Sequence, residues 1–288
     1  LTAGEFPGQL QNAFNGMERQ GNPWQMSEDR MGWTEGLDVP SVEENPGFEY
    51  LYWVGCAASF DPRAKEVARA FAKILDSAGV NYAVLGDQEG CTGDTARRAG
   101  HEYLFFEMAA ANIETLNGVG ARRIVATCPH CLHSLGAEYS QFGADFEVIH
   151  HTTLINQLID AGKLKLNGAG GDAQKVTFHD PCYLGRHNGV FADPRDVLAA
   201  GKVELLEMAR MRNNSFCCGA GGGQMWKEEE PGQTGVSISR FEEAEGTGAD
   251  TLAVGCPFCL VMLNDASRAA GESLHVRDVA EIVADSIT

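Results

Sequence analysis

Residues Thr251–Cys259 read TLAVGCPFC, and residues Arg123–Cys131 read RIVATCPHC. In both stretches a short apolar run leads into a cysteine, which is followed by a proline and, two residues after the proline, by a second cysteine. Apolar runs of this length predict buried strands, and the end of each motif is expected to begin a helix. The two stretches therefore predict an α/β fold in which a Cys-Pro-x-Cys turn joins a strand to a helix, once in each half of the chain.

The nine cysteines of this 288-residue chain form two sets with almost the same spacing. The first set is Cys56, Cys91, Cys128 and Cys131, and the second set is Cys182, Cys217, Cys218, Cys256 and Cys259. Every cysteine of the first set has a counterpart 126 or 128 residues later in the chain. The sets differ at one place, where Thr92 stands at the position that Cys218 has in the second half. Cysteines spaced this regularly are expected to be metal ligands.

Strands and helices alternate in both halves, with the Gly-rich residues 162–174 as a linker. The predicted strands are residues 50–54, 81–85, 123–127, 146–149, 175–178 and 251–254, and residues 203–208 are either a strand or a short helix. The predicted helices are residues 61–78, 95–116, 153–161, 195–200, 238–246, 258–270 and 277–287. We predict three segments: an irregular N-terminal extension over residues 1–48, held to the body by Trp24 and Trp33, a first half-domain over residues 49–162 and a second over residues 175–288.

Alternating strands and helices imply parallel sheets, and sites in such sheets lie just beyond the carboxyl ends of the strands. In both halves a cysteine follows the end of a predicted strand. Each set is therefore expected to converge on one spot, although its members are far apart in sequence. The expected fold is α/β, with two pseudo-symmetric half-domains, parallel sheets, and a cysteine cluster at the C-terminal strand ends of each.

The chain carries 22 basic and 40 acidic residues, which gives a formal net charge of −18 at pH 7. A charge of this sign argues against nucleic acid and anionic lipid as partners. The sequence shows no signal peptide and no run of about eighteen apolar residues, so this segment is not expected to span a bilayer. Because the chain starts with Leu1 rather than Met, we expect it to be processed or to be the tail of a longer protein.

Thiolates are soft ligands that select iron–sulfur clusters, zinc or cuprous copper. Two Cys-x-x-Cys motifs and one adjacent pair suit metal binding in a reducing compartment better than they suit disulfides. The second set has more cysteines than one tetrahedral zinc ion uses, and the adjacent Cys217 and Cys218 can reach two irons of one cluster. The second set thus predicts an iron–sulfur cluster. The first set predicts a cubane cluster, zinc, or a cluster with an unusual ligand that involves Thr92.

Several histidines flank the two sets. His179 precedes Cys182, His150 and His151 stand at the end of a predicted strand, and His130 lies inside the first Cys-x-x-Cys motif. These side chains are either hydrogen-bonded packing residues or functional groups that donate a proton or orient a sulfur atom. Under the second interpretation, His179 and His151 are the candidate proton donors.

With these residues, the chain resembles the CCG-domain iron–sulfur proteins, also called cysteine-rich domain proteins. The pattern Cys-x(34)-Cys-Cys-Gly-x(36)-Cys-x-x-Cys, found here from Cys182 to Cys259, is the signature of that family. The family includes the catalytic subunit of heterodisulfide reductase, in which such a motif holds a noncubane [4Fe-4S] cluster in a Rossmann-like half-domain. The resemblance implies that the five cysteines of the second set hold a noncubane [4Fe-4S] cluster here. Thr92 departs from the family pattern in the first repeat.

Three further stretches resemble the membrane-linked branch of this family, namely residues 16–24 (GMERQGNPW), 89–98 (EGCTGDTARR) and 179–188 (HDPCYLGRHN). That resemblance implies electron transfer from a flavoprotein, reduced electron-transfer flavoprotein (ETF), to menaquinone at the cytoplasmic face of a membrane. It also implies a membrane domain and a ferredoxin-like domain before Leu1. The alternatives are an iron–sulfur subunit of a glycolate- or lactate-type dehydrogenase, a heterodisulfide-reductase-like disulfide reductase and, in another class, a zinc-stabilised scaffold.

Overall fold

Two four-stranded parallel sheets, one from each half of the chain, form the fold. The computed structural model describes residues 6–167, 174–229 and 232–287, so residues 168–173 of the predicted linker lie outside the described part. The strands are β1 (Tyr50–Trp53), β2 (Tyr82–Ala83), β3 (Arg123–Ala126), β4 (Glu147–His150), β5 (Lys175–Phe178), β6 (Glu204–Leu205), β7 (Thr251–Val254) and β8 (His275–Asp278). The strand order is β2-β1-β3-β4 in the first sheet and β6-β5-β7-β8 in the second. The predicted α/β class with parallel sheets is confirmed, and the halves share one topology.

Helices connect the strands and flank both sheets. The α-helices are α1 (Gln11–Gln20), α2 (Gly55–Phe60), α3 (Pro62–Ser77), α4 (Asp94–Ala99), α5 (Glu102–Gly118), α6 (Pro129–His133), α7 (His151–Asp160), α8 (Asp193–Ala200), α9 (Val236–Glu245), α10 (Pro257–Ala269) and α11 (Val279–Ser286). A π-helical turn, Ser134–Glu138, extends α6. Among the described residues, none of these helices is both long and apolar enough to pass through a membrane.

The strand order places a ligand site at the same edge of each sheet. Strands β1 and β7 are buried along their whole length, as expected for parallel strands that helices cover on both faces. From β1 the chain moves outward to β2 and then crosses back to β3 on the other side of β1. Such a reversal opens a crevice beyond the carboxyl ends of the two central strands, where α/β proteins bind their ligands. Here the crevices lie at the ends of β1 and β3 and at the ends of β5 and β7.

The two halves pack together through equivalent helices. Helix α3 contacts α11, and helix α8 contacts α7. In both contacts the helix after the first strand of one half meets the last helix of the other half, so an approximate two-fold axis relates them. One hydrophobic core crosses this junction, with Phe71 and Leu154 from the first half and Val197 and Val283 from the second. Burial of this apolar surface holds the halves in one body.

The structure differs from the sequence-based expectation in four elements. The N-terminal extension, predicted to be irregular, contains α1, which buries an apolar face. The helix predicted over residues 95–116 is two helices, α4 and α5, because Gly100 between them adopts a left-handed conformation with φ of 82°. The helix predicted over residues 277–287 is β8 followed by α11, so a strand was missed. Helix α2 was also not predicted.

Both tryptophans of the N-terminal extension contact the body, as predicted. Trp33 is 1% exposed and packs edge-on against Tyr52 of β1. Trp24 packs edge-on against Trp226, with 4.8 Å between ring centroids, and stacks on Phe258. Because Trp226 and Phe258 belong to the second half, the N-terminal extension contacts both halves near their cysteine motifs.

Candidate metal centres

The four cysteines of the first set converge at the carboxyl end of the first sheet. Cys56 lies in the first turn of α2 after β1, Cys91 follows β2, and Cys128 and Cys131 follow β3. Cys56 lies close enough to Cys91, and Cys128 to Cys131, for each thiol to shift the pKa of its neighbour. All four cysteines are buried, and they line one cavity to which Phe258 of the second half contributes. Residues from three separate loops thus meet at one closed spot.

The five cysteines of the second set converge in the same way. Cys182 follows β5, Cys217 and Cys218 lie between β6 and α9, and Cys256 and Cys259 follow β7. The Sγ atoms of Cys218 and Cys259 are 3.2 Å apart. Cys218, Cys256 and Cys259 are buried, whereas Cys182 and Cys217 are only partly buried. A surface cavity of about 620 Å³ adjoins Cys217, so the second set lies closer to solvent than the first.

Both Cys-Pro-x-Cys motifs place their sulfur atoms at the start of a helix. Cys128 is the N-terminal cap of α6 and Cys256 that of α10, with proline at the first helical position in each. Proline suits this position because an N–H group there would have no partner within the helix. The remaining free N–H groups of a first turn stabilise negative charge. The prediction that each motif begins a helix is therefore confirmed.

A glycine in the left-handed region turns the backbone toward sulfur in both central loops. Gly93 has a φ of 80° and Gly219 a φ of 96°. The N–H of Gly93 donates to Cys91 Sγ at 3.5 Å, and that of Gly219 donates to Cys217 Sγ at 3.3 Å. A Cβ atom at Gly93 would also lie 3.0 Å from Phe105. Glycine is favoured at both positions because other residues rarely adopt this φ.

Thr92 occupies the place of the missing fifth cysteine. Its Oγ1 lies 3.9 Å from Cys131 Sγ, and the equivalent pair in the second half is Cys218 and Cys259. The hydroxyl of Tyr139 donates to the Thr92 carbonyl at 2.9 Å and holds this loop in place. The same two positions thus face each other in both halves, with an oxygen atom in the first and a sulfur atom in the second.

The two cysteine sets meet at the junction between the halves. Cys128 of the first set and Cys256 of the second set are close enough for each to influence the pKa of the other. Beside them, Gly255 packs against His150, whose ring would lie 3.4 Å from a Cβ atom at Gly255. Burial favours the neutral thiol of Cys256, but hydrogen bonds with Cys128 and Cys259 outweigh burial and lower its pKa to about 6. The two sets therefore interact electrostatically through this pair.

A buried ion pair adjoins the first set. Arg30 of the N-terminal extension contacts Glu89, with 2.7 Å between Nη2 and Oε1, and both side chains are nearly inaccessible. The Glu89 carboxylate also accepts hydrogen bonds from the backbone N–H groups of Val54 and Gly55 at 2.9 and 2.8 Å. Burial disfavours the charge of Arg30, but Glu89 and two thiols of the first set keep its pKa above the ordinary value. The extension thereby places a positive charge beside the thiols.

His179, one candidate proton donor, lies at the second set. A ring nitrogen of His179 and the sulfur atoms of Cys218 and Cys259 lie within 4.8 Å of one another. Nε of the buried Arg240 donates to His179 Nδ1 at 3.0 Å. Hydrogen bonds from Cys217 and Cys259 hold the pKa of the Cys218 thiol well below its usual value, although burial opposes them, and His179 contributes in the same direction.

His151, the other candidate, lies in the core between the halves. Its Nε2 is 2.9 Å from Oδ1 of Asp278, so the pair links the two halves. His130 lines the cavity of the first set, where its Nδ1 is 2.8 Å from Asp94 Oδ2 and its ring stacks on Tyr183. Of the histidines that the sequence analysis singled out, His179 and His130 thus stand beside cysteines, and His151 bonds to a carboxylate at the junction.

Three charged residues beside the cysteines were missed from the sequence. Arg30 and Glu89 are 59 positions apart in the chain, and His179 and Arg240 are 61 positions apart. The sequence contains only weak indications that these residues lie beside the cysteines. Glu89 stands two residues before Cys91, and Arg240 lies within the helix predicted over residues 238–246.

The donor chemistry fits iron–sulfur clusters. Cluster irons are held by cysteine thiolates, and every side chain that converges in the second set offers sulfur except His179. Five sulfur donors exceed the four that a tetrahedral zinc ion takes. The first set offers four sulfur atoms and one hydroxyl, a number that suits either a cubane cluster or zinc.

Known proteins share this repeated arrangement. The family described as "Cysteine-rich domain" (CCG) matches residues 50–136 and again residues 176–264, once in each half of the chain. The matched ranges include all nine cysteines. The chain therefore belongs to the cysteine-rich domain family of iron–sulfur oxidoreductases.

Several similar proteins carry redox names. The chain is 41% identical over 97% of its length to the EtfAB:quinone oxidoreductase of Syntrophomonas wolfei, and 41% identical over its full length to the probable iron-sulfur-binding oxidoreductase FadF of Bacillus subtilis. It is 33% identical over 92% of its length to one subunit of the dihydromethanophenazine:CoB–CoM heterodisulfide reductase of Methanosarcina barkeri. The chain covers 41%, 42% and 65% of these three proteins, respectively, and so spans less than half the length of the first two.

Proposed function

We propose that this chain is a two-centre electron-transfer module. Cys182, Cys217, Cys218, Cys256 and Cys259 hold a [4Fe-4S] cluster of the noncubane type. Cys56, Cys91, Cys128 and Cys131 hold a second centre, a cubane [4Fe-4S] cluster or a zinc ion. The observation that carries this proposal is the convergence of each cysteine set, four buried thiols around one cavity in the first half and five cysteines at the strand ends of the second. Bound clusters supply one-electron transfer.

The chain's own residues hold the centres and set their environment. The first set is closed to water, since all four cysteines are buried. Arg30 offsets negative charge there, and the helix starts at Pro129 and Pro257 direct free N–H groups toward sulfur. Burial, charge and hydrogen bonds to sulfur are the factors by which a protein sets cluster potentials.

We further propose that the donor is a reduced flavoprotein such as ETF and that the acceptor is a quinone such as menaquinone. Two electrons and two protons leave the flavin hydroquinone, and two electrons and two protons convert the quinone to quinol. The name of the Syntrophomonas wolfei relative supports both partners. The quinone is reached through a membrane domain outside this segment, which places the chain at the cytoplasmic face of a membrane.

Metal analysis tests the proposal. In protein purified without oxygen, about eight iron and eight sulfide per chain indicate two [4Fe-4S] clusters. About four iron, four sulfide and one zinc make the first centre structural and leave one redox centre. Zinc alone overturns the proposal and leaves a zinc-stabilised scaffold.

A donor test follows on the iron-loaded protein. When reduced ETF is mixed with this protein, it is expected to reduce the clusters and thereby bleach their visible absorption. A glycolate- or lactate-oxidising flavoprotein that bleaches the clusters while ETF does not would contradict ETF as the donor. That outcome would favour the dehydrogenase-subunit interpretation instead.

A second candidate function is reduction of a disulfide substrate. The cavity of about 620 Å³ beside the partly buried Cys217 favours it, because this opening gives an external molecule access to the second set. The reaction consumes two electrons and two protons and yields two thiols. Anaerobic addition of the CoB–CoM heterodisulfide to the reduced protein tests it. Reoxidation with release of two thiols supports this function, and no reoxidation excludes that substrate.

A further inference from the structure

A buried arginine, Arg240, donates a hydrogen bond to the side chain of His179. Arg240 is 0% exposed, and its Nε donates to His179 Nδ1 at 3.0 Å. Its Nη1 donates to Glu243 Oε2 at 2.8 Å and to the carbonyl of Arg210 at 2.9 Å. Two groups thus hold the arginine side chain in place: the carboxylate of Glu243, which lies on the same helix α9, and the backbone carbonyl of Arg210. The imidazole of His179 has little freedom to rotate away.

This contact determines which nitrogen of His179 carries the proton. An arginine side chain has only donors and keeps its charge in proteins. Nδ1 of His179 must therefore accept, and the proton of the neutral ring lies on Nε2. Among the described residues, Nε2 is buried and has no hydrogen-bond partner. A ring nitrogen of His179 lies within 4.8 Å of the sulfur atoms of Cys218 and Cys259. Because Nδ1 is occupied by Arg240, Nε2 is the nitrogen left to donate to sulfur.

The same contact argues against His179 as a metal ligand. A ligating histidine almost always donates the N–H of its other nitrogen to a carboxylate, a carbonyl or water. Here the other nitrogen faces an N–H donor instead. If Nε2 bound a metal, Nδ1 would either carry a proton pointed at the arginine N–H or leave the ring anionic. Arg240 therefore makes His179 a hydrogen-bond donor toward sulfur.

We propose that His179 is a positioning residue of the second centre, which donates its Nε2–H to sulfur at Cys218 and Cys259, with Arg240 fixing the tautomer. The inference rests on the proposed function, since it assumes a cluster at the second set. A donated hydrogen bond stabilises the more negative, reduced state and so raises the reduction potential. The first half has Trp53 at the equivalent position, 126 residues earlier, so this imidazole donor is particular to the second centre.

Potentiometry on variants tests the inference. His179→Leu removes the donor, and His179→Gln retains an N–H group on a side chain of similar reach. We expect His179→Leu to lower the midpoint potential of the second centre by about 59 mV, a tenfold change in its one-electron equilibrium. His179→Gln restores part of the shift, and the first centre does not change. His151→Gln is the matched control, because it alters a buried histidine that bonds to Asp278 instead of facing sulfur.

An unchanged potential in His179→Leu, with iron content intact, would overturn the inference but not the proposed function. If the proposed function is wrong, metal analysis of the unaltered protein already finds no iron, before any variant is made. If both His179 variants lose the second centre, electron–nuclear double resonance on the unaltered protein with ¹⁵N-labelled histidine decides. Weak nitrogen coupling supports a hydrogen bond, whereas strong coupling of a ligand, or no coupling, contradicts it.

Discussion

The two halves of this molecule share one strand order and one cysteine spacing, yet their surroundings differ. In the first half the cysteines are all buried, Thr92 replaces a cysteine, and an ion pair between Glu89 and Arg30 of the N-terminal extension adjoins the site. In the second half a fifth sulfur is present, two cysteines are partly exposed, and a histidine faces sulfur. One scaffold therefore presents a closed and a more open set of thiols. The topology fixes where sulfur collects, and a few neighbours determine what each site does.

The fifth sulfur is the difference with the largest expected effect. Replacing Cys218 with Ser removes the Sγ that lies 3.2 Å from Cys259 Sγ. Because a serine hydroxyl is a poor substitute for thiolate at iron, we expect the second cluster to be lost and the first to remain. Total iron then falls by about half if each centre holds a [4Fe-4S] cluster. Iron analysis and electron paramagnetic resonance measure this.

The matched control for Cys218→Ser is Thr92→Ser, which makes an equally small change at the equivalent position of the first half. We expect that variant to keep both centres, since the hydroxyl near Cys131 is retained. Unchanged spectra in Cys218→Ser would show that the second centre does not use its fifth cysteine.

The reverse substitution sharpens the comparison. Thr92→Cys places a fifth thiol where the hydroxyl now lies 3.9 Å from Cys131 Sγ. The Tyr139 hydrogen bond to the backbone of residue 92 does not depend on the side chain, so the loop is expected to keep its shape. We expect the electron paramagnetic resonance signal of the first centre to become more like that of the second centre. The signal of the second centre should not change. If the first centre holds zinc, the variant instead shows no new signal, and metal analysis separates the two results.

The buried ion pair of the first half gives the next largest effect. Arg30→Met leaves the Glu89 carboxylate buried without its charged partner. Breaking a buried pair in this way costs about 3–5 kcal/mol of stability, so we expect a clear drop in the denaturant midpoint. The first centre should also lose iron or zinc sooner than the second under chelator. Circular dichroism and timed metal release measure the two effects.

The second half offers a matched substitution for this experiment. Arg195 pairs with Asp180 at 2.7 and 2.8 Å beside the second set, and its side chain is likewise almost inaccessible. Arg195→Met should destabilise the protein to a similar degree but release metal first from the second centre. Equal release from both centres in both variants would mean that the ion pairs act on the whole body and not on their own site.

Features that depend on residues close together in the sequence were predictable, whereas contacts between distant segments were not. Strands β5 and β7 were predicted at their observed bounds, because both are short stretches rich in β-branched, aliphatic or aromatic residues, a local signal for a strand. Strand β8 was missed because it is an edge strand that reads His275-Val276-Arg277-Asp278, a polar pattern with two buried positions. The convergence of the cysteines was predictable from parallel topology, since strand ends meet at one edge. The partners Arg30 and Arg240 were not, because each reaches its site from a distant segment.

A contact between the halves should give the smallest effect. Both Nη atoms of Arg63 on α3 bind the Glu281 carboxylate on α11, at 2.8 and 2.7 Å. Glu281→Gln removes the charge but keeps an oxygen acceptor for Arg63 and for the N–H of Asp278. Partly exposed pairs contribute at most about 1 kcal/mol, so we expect a loss of that size in the free energy of unfolding and no change at either centre. Asp285→Asn, which alters the more exposed Arg277–Asp285 pair inside the second half, should have no measurable effect. A much larger loss in Glu281→Gln would mean that the halves depend on this charge pair for their docking and not mainly on the apolar core that crosses the junction.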